Sequence, residues 1–564
     1  MRRAPTIAAV LASAMLGTTS VMLCAGTTHA VARSGSPGRA APAAGTAVRS
    51  AAAGSSTAAH PTTTAAAPAA ATAAPHPATA AAAAGPATVT ADPLPTWQTD
   101  GTVWAMAQAH GVVYVGGTFS HIRPPGTAPG DAGELARTNF AAFDAASGEP
   151  LDCAPAFTGG TGTVRALRVS TDGSLLYVGG SFGHVGTIGR SNTAALSTAD
   201  CSVAPAWKPV VNATVKAIDV TADTVYIGGD FTSVQGQTRE RLAALATDGT
   251  LRPFHAVLAG SSISNDPNPG VNAITVDPAH KQVIVGGRFT SVNHSGKAQA
   301  LVGLDAGTGA VTHPFTGWIP AKSAVKVLIN DGTNFYVGAE GTGHLVFDGR
   351  IAGRLSDGGM VWKDTCLGAT QALVATGGVL YSASHAHNCQ DTPGGFPDEG
   401  FRQHFLAQSV TDRTILPWFP DTDDGIGEGI GPRALAMADG VLWAGGEFTQ
   451  VNDAPQRGLT RFAASPDTGA PQVPLMSGTS TASGRITLSW KASWDRDDGT
   501  LTYRIYRDGV LLKTVTGDSR YWDRPTMTYT DTVTPGAEHR YSLEVTDGTN
   551  LSGRNGPVYV TAKK

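Results

Sequence analysis

Two stretches of this sequence bring together residue types that could do chemistry. The first is Ser384-His-Ala-His-Asn-Cys389. Alternate side chains of a strand share a face, so His385, His387 and Cys389 would point one way, with His404 or a carboxylate completing a zinc or copper site. The competing reading takes Cys389 for a disulfide and leaves the histidines structural. The second stretch is Asp421-Thr-Asp-Asp424-Gly-Ile-Gly-Glu428. Its oxygens are spaced much as in a calcium loop, yet an EF-hand needs its Gly one position later and a further Glu. The same carboxylates, Asp421, Asp423, Asp424 and Glu428, are the candidates for the acid–base pair of glycoside hydrolysis. No phosphate-binding Gly loop and no His-Glu-x-x-His motif accompanies them.

The elements that must position these residues come from an internal repeat. Val112-Val-Tyr-Val-Gly-Gly-Thr-Phe119 recurs as Leu176-Tyr-Val-Gly-Gly-Ser-Phe182, Val225-Tyr-Ile-Gly-Gly-Asp-Phe231, Val283-Ile-Val-Gly-Gly-Arg-Phe289 and Leu442-Trp-Ala-Gly-Gly-Glu-Phe448. Weaker copies at Phe335-Tyr-Val-Gly-Ala339 and Leu380-Tyr-Ser-Ala-Ser384 bring the count to seven, at a period of about 55 residues, which is a propeller spacing. Before each copy stands an alternating segment: Val103-Trp-Ala-Met, Val164-Arg-Ala-Leu, Val215-Lys-Ala-Ile, Val271-Asn-Ala-Ile, Val325-Lys-Val-Leu, Gln371-Ala-Leu and Arg433-Ala-Leu. Period-two alternation marks each as a half-buried strand. The Gly pair allows a bulge or a close backbone approach.

A third strand is predicted at 140–144, 193–197, 242–246, 301–305, 344–348, 405–409 and 459–463. A fourth is expected around Phe157, Trp207, Phe254, Trp318, Trp362 and Trp418. The seventh unit lacks its fourth strand, and Pro95-Thr-Trp97 stands before Val103 as Ala206-Trp207 stands before Val215. The N-terminal strand bearing Trp97 is therefore expected to complete the last unit and remove the free edge.

These repeats resemble the secreted actinobacterial seven-bladed β-propellers of the delta-sixty type, built from Tyr-[Val/Ile]-Gly-Gly-x-Phe units and often followed by fibronectin type III modules. The resemblance covers residues 95–465 and implies a fold rather than an activity. The expected fold class is all-β: a seven-bladed propeller over 94–466 closed by an N-terminal strand, plus a C-terminal fibronectin type III-like β-sandwich over 470–564. The second domain is read from Ile486-Thr-Leu-Ser-Trp490, Leu501-Thr-Tyr-Arg-Ile-Tyr-Arg507 with an Asp508-Gly509 turn, and Tyr541, which follows Pro535-Gly536 where a tyrosine-corner residue would stand.

Composition fills in the setting. The chain has 564 residues with 69 Gly and only 15% charged residues, a poor composition for a helical protein. Arg2 and Arg3 precede an apolar run to Cys24 and a small-x-small site at Ala30 or Ala32, so 1–32 read as a signal peptide. Residues 33–93, rich in Ala, Pro and Thr, read as a disordered linker. Four cysteines then remain in an exported chain, and pairings Cys153–Cys201 and Cys366–Cys389 are expected.

A net charge of −4 leaves no basic footprint for nucleic acid. The expectation is a secreted monomer, extracellular or cell-wall associated, without a membrane span once processed. It would be a non-catalytic binding or scaffold protein whose propeller face, carrying the loops of unit six, engages a polysaccharide or a surface protein. The alternative is a secreted glycosidase or other polysaccharide-degrading hydrolase with the fibronectin module as accessory. The cofactors the sequence suggests are calcium or zinc, with copper as the other metal the histidine pattern would take.

Overall fold

A computed structural model describes residues 85–564 apart from 264–265, 342–345 and 399. The signal peptide and most of the linker expected above lie outside the described residues. No helix among them is long and apolar enough to cross a membrane.

Each repeat unit folds as an antiparallel sheet in which the second strand lies between the first and the third. In the first three units these strands are Thr102–Ala109, Val112–Thr118 and Phe140–Asp144; Thr163–Val169, Leu175–Ser181 and Thr193–Ser197; and Val215–Val220, Thr224–Gly229 and Leu242–Ala246. Unit four has Gly270–Asp277, Gln282–Arg288 and Leu301–Asp305, and unit five Ser323–Asn330, Asn334–Gly341 and Arg350–Arg354. Units six and seven have Ala372–Thr376, Val379–Ala386 and Gln403–Ser409, then Pro432–Ala438, Val441–Gly446 and Leu459–Ala463. Unit five departs from expectation: its third strand is Arg350–Arg354, not 344–348, because this pairing sets Arg350 opposite Gly338.

The aromatic fourth strand is only partly present. Val311–His313 and Met360–Asp364, which carries Trp362, extend the sheets of units four and five. Elsewhere the third strand gains single bridges such as Phe143 to Pro150 and Leu196 to Val203. Trp207, Phe254 and Trp418 are buried as packing residues rather than as members of a ladder, while Phe157 pairs with Val185 in a separate short sheet.

The glycine doublets have a packing cause. A Cβ on Gly228 would lie 2.3 Å from Val271 Cγ1 of the next unit's first strand, and one on Gly286 would lie 2.3 Å from Val325 Cγ1. Gly116 meets Val164, Gly179 meets Val215, and Gly445 of the last unit meets Val103 of the first at 2.5 Å. The second glycine is pressed against its own sheet: a Cβ on Gly229 would be 2.1 Å from the Thr214 carbonyl oxygen. A register shift lies beside that contact in six first strands, between Val103 and Ala105, Val164 and Ala166, Val215 and Ala217, Val271 and Ala273, Val325 and Val327, and Pro432 and Ala434. Each shift is a β-bulge that leaves one residue out of the alternation.

Residues read as the end of the linker are part of the core. Val89 and Ala91 are buried against units six and seven. The Thr90 N–H donates to the Ala463 carbonyl and the Leu94 N–H to the Arg461 carbonyl, both at 2.8 Å, and Pro93 bridges Phe462. This pairing lies upstream of Trp97, whose half-buried indole donates to Glu149 at 3.2 Å instead. Upstream residues make the ladder because Val89 and Ala91 alternate into the apolar cluster around Phe462 and Trp418.

Beyond residue 475 one sheet pairs Arg485–Lys491 with Met476–Ala482 and Thr526–Thr532. A second has the order Val510–Asp518, Thr500–Arg507, Glu538–Thr546, Val558–Thr561. Trp490, Tyr503 and Tyr541 fill their shared core. The Tyr541 hydroxyl donates to the Asp531 carboxylate at 2.7 Å rather than to a backbone carbonyl. Both disulfides form as paired above, with Cα separations of 5.5 Å for Cys153–Cys201 and 4.0 Å for Cys366–Cys389.

The close approach makes a direct prediction. Gly228→Ala should cost roughly 1–3 kcal/mol through overpacking against Val271. Gly189→Ala, whose Cβ would meet nothing within 4 Å, should leave the denaturation midpoint unchanged. Urea melts of the two variants check this, and equal midpoints would remove the packing role of the doublet.

Candidate functional site

The bulges decide what the first strands present. Bulge residues Trp104, Arg165, Lys216, Asn272, Lys326 and Arg433, together with Gln371 at the same place in unit six, line one cavity of about 290 Å³. Arg288, Glu340 and Glu428 complete its wall. Arg288 and Glu340 occupy the variable position of their Gly-Gly-x-Phe or Gly-Ala-x motifs.

In several units the bulge residue is bonded to that variable residue of its own sheet. Lys216 Nζ lies 2.6 Å from Asp230, Lys326 Nζ 3.1 Å from Glu340 and Arg433 Nη2 2.9 Å from Glu447. In unit one Trp104 Nε1 donates to Thr118 Oγ1 at 3.0 Å. In unit four the variable residue is itself cationic, and Arg288 turns to Asp230 and Asp266 at 3.0 and 2.9 Å. Arg165 is the exception among these cations: the variable position of its own motif holds Ser181, and its guanidinium lies over the Trp104 ring at 3.7 Å. Arg433 lies over the same ring at 4.4 Å. Burial holds the pKa values of Arg165 and Lys216 below their ordinary values.

Two donors at this cavity lack partners. Gln371 is 9% exposed and Arg433 7% exposed, and the Nε2 of the first and the Nε of the second are buried without a hydrogen bond. A buried donor left unpaired is costly.

Of the four carboxylates singled out from sequence, only Glu428 reaches this cavity, where it pairs with Arg433 at 2.9 Å. The others hold a loop in place. Asp423 accepts the Thr449 N–H at 2.6 Å and the Gln450 N–H at 3.1 Å. Asp421 and Asp424 flank His404, with Nδ1 to Asp421 and Nε2 to Asp424 both at 3.1 Å. Buried Glu447 accepts the N–H groups of Glu428 and Ile430, so the loop is latched onto the last second strand. The carboxylates of the expected calcium loop are thus taken up by separate donors, and they are not among the groups of described residues close enough to share a cation.

The histidine metal site is not assembled either. Cys389 is in its disulfide, and His404 is saturated by the two aspartates. Burial, with the nearby Arg402 charge, lowers the His385 pKa to about 4. Among the described residues, the groups close enough to share a cation are Asp467, Asp498 and Asp547, and Asp495, Asp497 and Asp498. Burial first, then neighbouring acids, raises the Asp497 and Asp498 pKa values to about 7 and about 6.

Part of the unit-six irregularity seats the C-terminal sheets. Trp522 packs its ring on Phe419 and Phe396 at centroid distances of 4.9 and 5.3 Å, and Arg520 Nη1 donates to the Gly394 carbonyl at 3.2 Å. Residues 179–183 spell Gly-Gly-Ser-Phe-Gly, a nucleophile-elbow pattern. Ser181, however, ends the strand Leu175–Ser181, and its Oγ accepts the Thr161 N–H.

A family model described as a domain of unknown function (DUF5122) beta-propeller matches residues 223–251, the second and third strands of unit three. The repeats are those of a β-propeller. No curated protein matches the chain. Solved structures similar to it include dihydro-heme d1 dehydrogenase NirN in complex with DHE, at 11% identity and TM-score 0.32, covering 82% of this chain and 79% of that one. Saccharomyces cerevisiae Sqt1 matches at 10% identity and TM-score 0.33 over 73% and 98% of the two chains. An acylaminoacyl peptidase complex matches at 9% and 0.32 over 71% and 59%.

His404 supplies a pH test. Burial alone would lower its pKa, but the Asp421 hydrogen bond and charge, then those of Asp424, hold it above the ordinary 6.5. A raised folded-state pKa contributes stability that is complete below the unfolded value and is lost as pH rises through the folded one. The stability difference between the native chain and His404→Gln should thus be largest below about pH 6.5 and shrink above it. Denaturant melts across that range measure it, and a pH-independent difference would remove the charged role of His404.

Proposed function

We propose that this is a secreted, non-catalytic binding protein: a seven-bladed β-propeller closed by its N-terminal strand and followed by a fibronectin type III domain, engaging an extracellular polysaccharide at its axial cavity. The observation that carries the binding role is the cavity wall, to which each repeat unit contributes at least one residue, all but Trp104 charged or amide-bearing. Closure is supported by Gly445 meeting Val103 as the earlier doublets meet their successors, and by residues 90–94 pairing with Leu459–Ala463. The C-terminal module is supported by its three- and four-stranded sheets around Trp490, Tyr503 and Tyr541. Two disulfides are compatible with an oxidising compartment.

The hydrolase reading has less support. Glycoside hydrolysis asks one carboxyl to stay protonated beside an ionised partner. Burial would raise the Asp424 pKa, but Arg402 and His404 together bring it below the ordinary value. Asp421 and Asp423 are engaged as acceptors, and Glu428 is ion-paired.

Two measurements test this reading. A glycan array run beside a reducing-sugar assay should give binding without sugar release, whereas release abolished by Asp423→Asn or Glu428→Gln would establish the hydrolase. Deleting residues 85–94 should lower the melting temperature sharply, and an unchanged transition would contradict closure.

A further inference from the structure

We infer that the axial cavity recognises a carboxylate-bearing sugar, a uronic acid residue, with Arg165 as the anchor for the carboxylate. This rests on the saccharide-binding reading above and names the ligand class for the same site.

The argument begins with charge pairing. Lys216, Lys326 and Arg433 each have an acid at the variable position of their own sheet, and Arg288 has Asp230 and Asp266. Among the described residues Arg165 has no carboxylate within ion-pair distance and makes no hydrogen bond; the variable position of its own motif holds Ser181. It is the one cation of the wall with no ion pair inside the protein; Glu428 and Asp230 act on it only from beyond ion-pair distance.

Geometry then says how an anion would meet it. The guanidinium lies on the Trp104 ring at 3.7 Å, and Trp104 is itself fixed by its bond to Thr118 and by Arg433 above it. Stacking uses the planar face and leaves the N–H edge of the fork free, which suits a bidentate carboxylate.

The same wall argues against a bare anion or a polyphosphate. Glu340 and Glu428 face the cavity, and two carboxylates repel dense negative charge while accepting hydrogen bonds from hydroxyls. A single negative charge on a polyhydroxylated body satisfies both halves of the lining. A volume of about 290 Å³, at the small end for a ligand pocket, fits a chain end rather than a length of polymer.

The test is calorimetric titration of the intact secreted chain with glucuronate, galacturonate, glucose, galactose, acetate and inorganic phosphate. A uronate should bind at least tenfold more tightly than its neutral parent sugar and more tightly than acetate or phosphate. Arg165→Gln should lose at least tenfold in uronate affinity, and Arg165→Lys, which keeps the charge without the fork, should recover only part of it. Ser181→Glu should abolish uronate binding by supplying Arg165 with the internal acid that units three, five and seven already have. Melting temperatures of all three variants within a few degrees of the parent exclude unfolding as the cause.

Equal affinity for uronate and neutral sugar, or uronate binding indifferent to Arg165→Gln, would overturn the carboxylate inference while leaving saccharide binding standing. Phosphate binding as tightly as a uronate would overturn it as an anion site of another kind. Absence of binding to every sugar in the cavity, and to the glycan array, would sink the saccharide reading itself.

Discussion

The repeat region depends on one close approach. In five of the seven units the second strand comes so near the first strand of the following unit that a methyl group at the first doublet glycine would overlap a valine. The second glycine lies under its own unit's first strand, where a carbonyl oxygen occupies the place a side chain would need. The second contact is with backbone, so no rotamer change relieves it, and the first is with the Cγ1 and the Cβ of a valine fixed in the core. The first strand answers with a bulge beside the contact, and the bulged residue leaves the alternation that buries its neighbours. The constraint that packs the sheets is thus also the device that lines the cavity.

Charges placed on this device are mostly balanced within a sheet. In three units a cation on the bulge faces an acid fourteen positions later, as in Lys216 and Asp230, Lys326 and Glu340, and Arg433 and Glu447. Partly buried charges are tolerable only when paired and hydrogen-bonded, because desolvation of each is expensive. Pairing of this kind stiffens long side chains and fixes which of their hydrogen-bonding edges face inward. Arg165 stands outside the scheme and is held by an aromatic ring instead.

The degraded units show what replaces the glycine packing where it is relaxed. Arg350, 1% exposed, reaches Asp364 in the fourth strand of its own sheet and donates to Ser382 Oγ, which occupies the first doublet position of unit six. Asp364 also accepts from Gln408 and Thr392, so a buried polar network ties units five and six. The Cys366–Cys389 bridge and Phe396 and Phe419 then form the apolar seat for Trp522. The irregularity of unit six therefore serves the attachment of the C-terminal sheets, while its histidines and acids brace a loop.

Much of this was legible in the chain. Period-two alternation and the doublets located the strands, and five of the predicted third strands match residue for residue, because both signals are local. The two exceptions, 344–348 and the strand at 405–409 that begins at Gln403, lay in the copies whose glycine pattern had already decayed, and the upstream pairing of Val89 to Leu94 was hidden in alanine-rich sequence. The cavity residues were visible as members of strand motifs, from Trp104 and Arg165 to Arg433, yet nothing local marked them as a site. In a regular strand the alternation assigns a residue to one of two sheet faces, and these point to neither, since a bulge forced by the adjacent sheet turns them aside. Sequence by itself determined the repeat, most of its first three strands and the expected disulfide partners; only the packing of one sheet on the next decided which side chains converge, because convergence depends on contacts between units tens of residues apart.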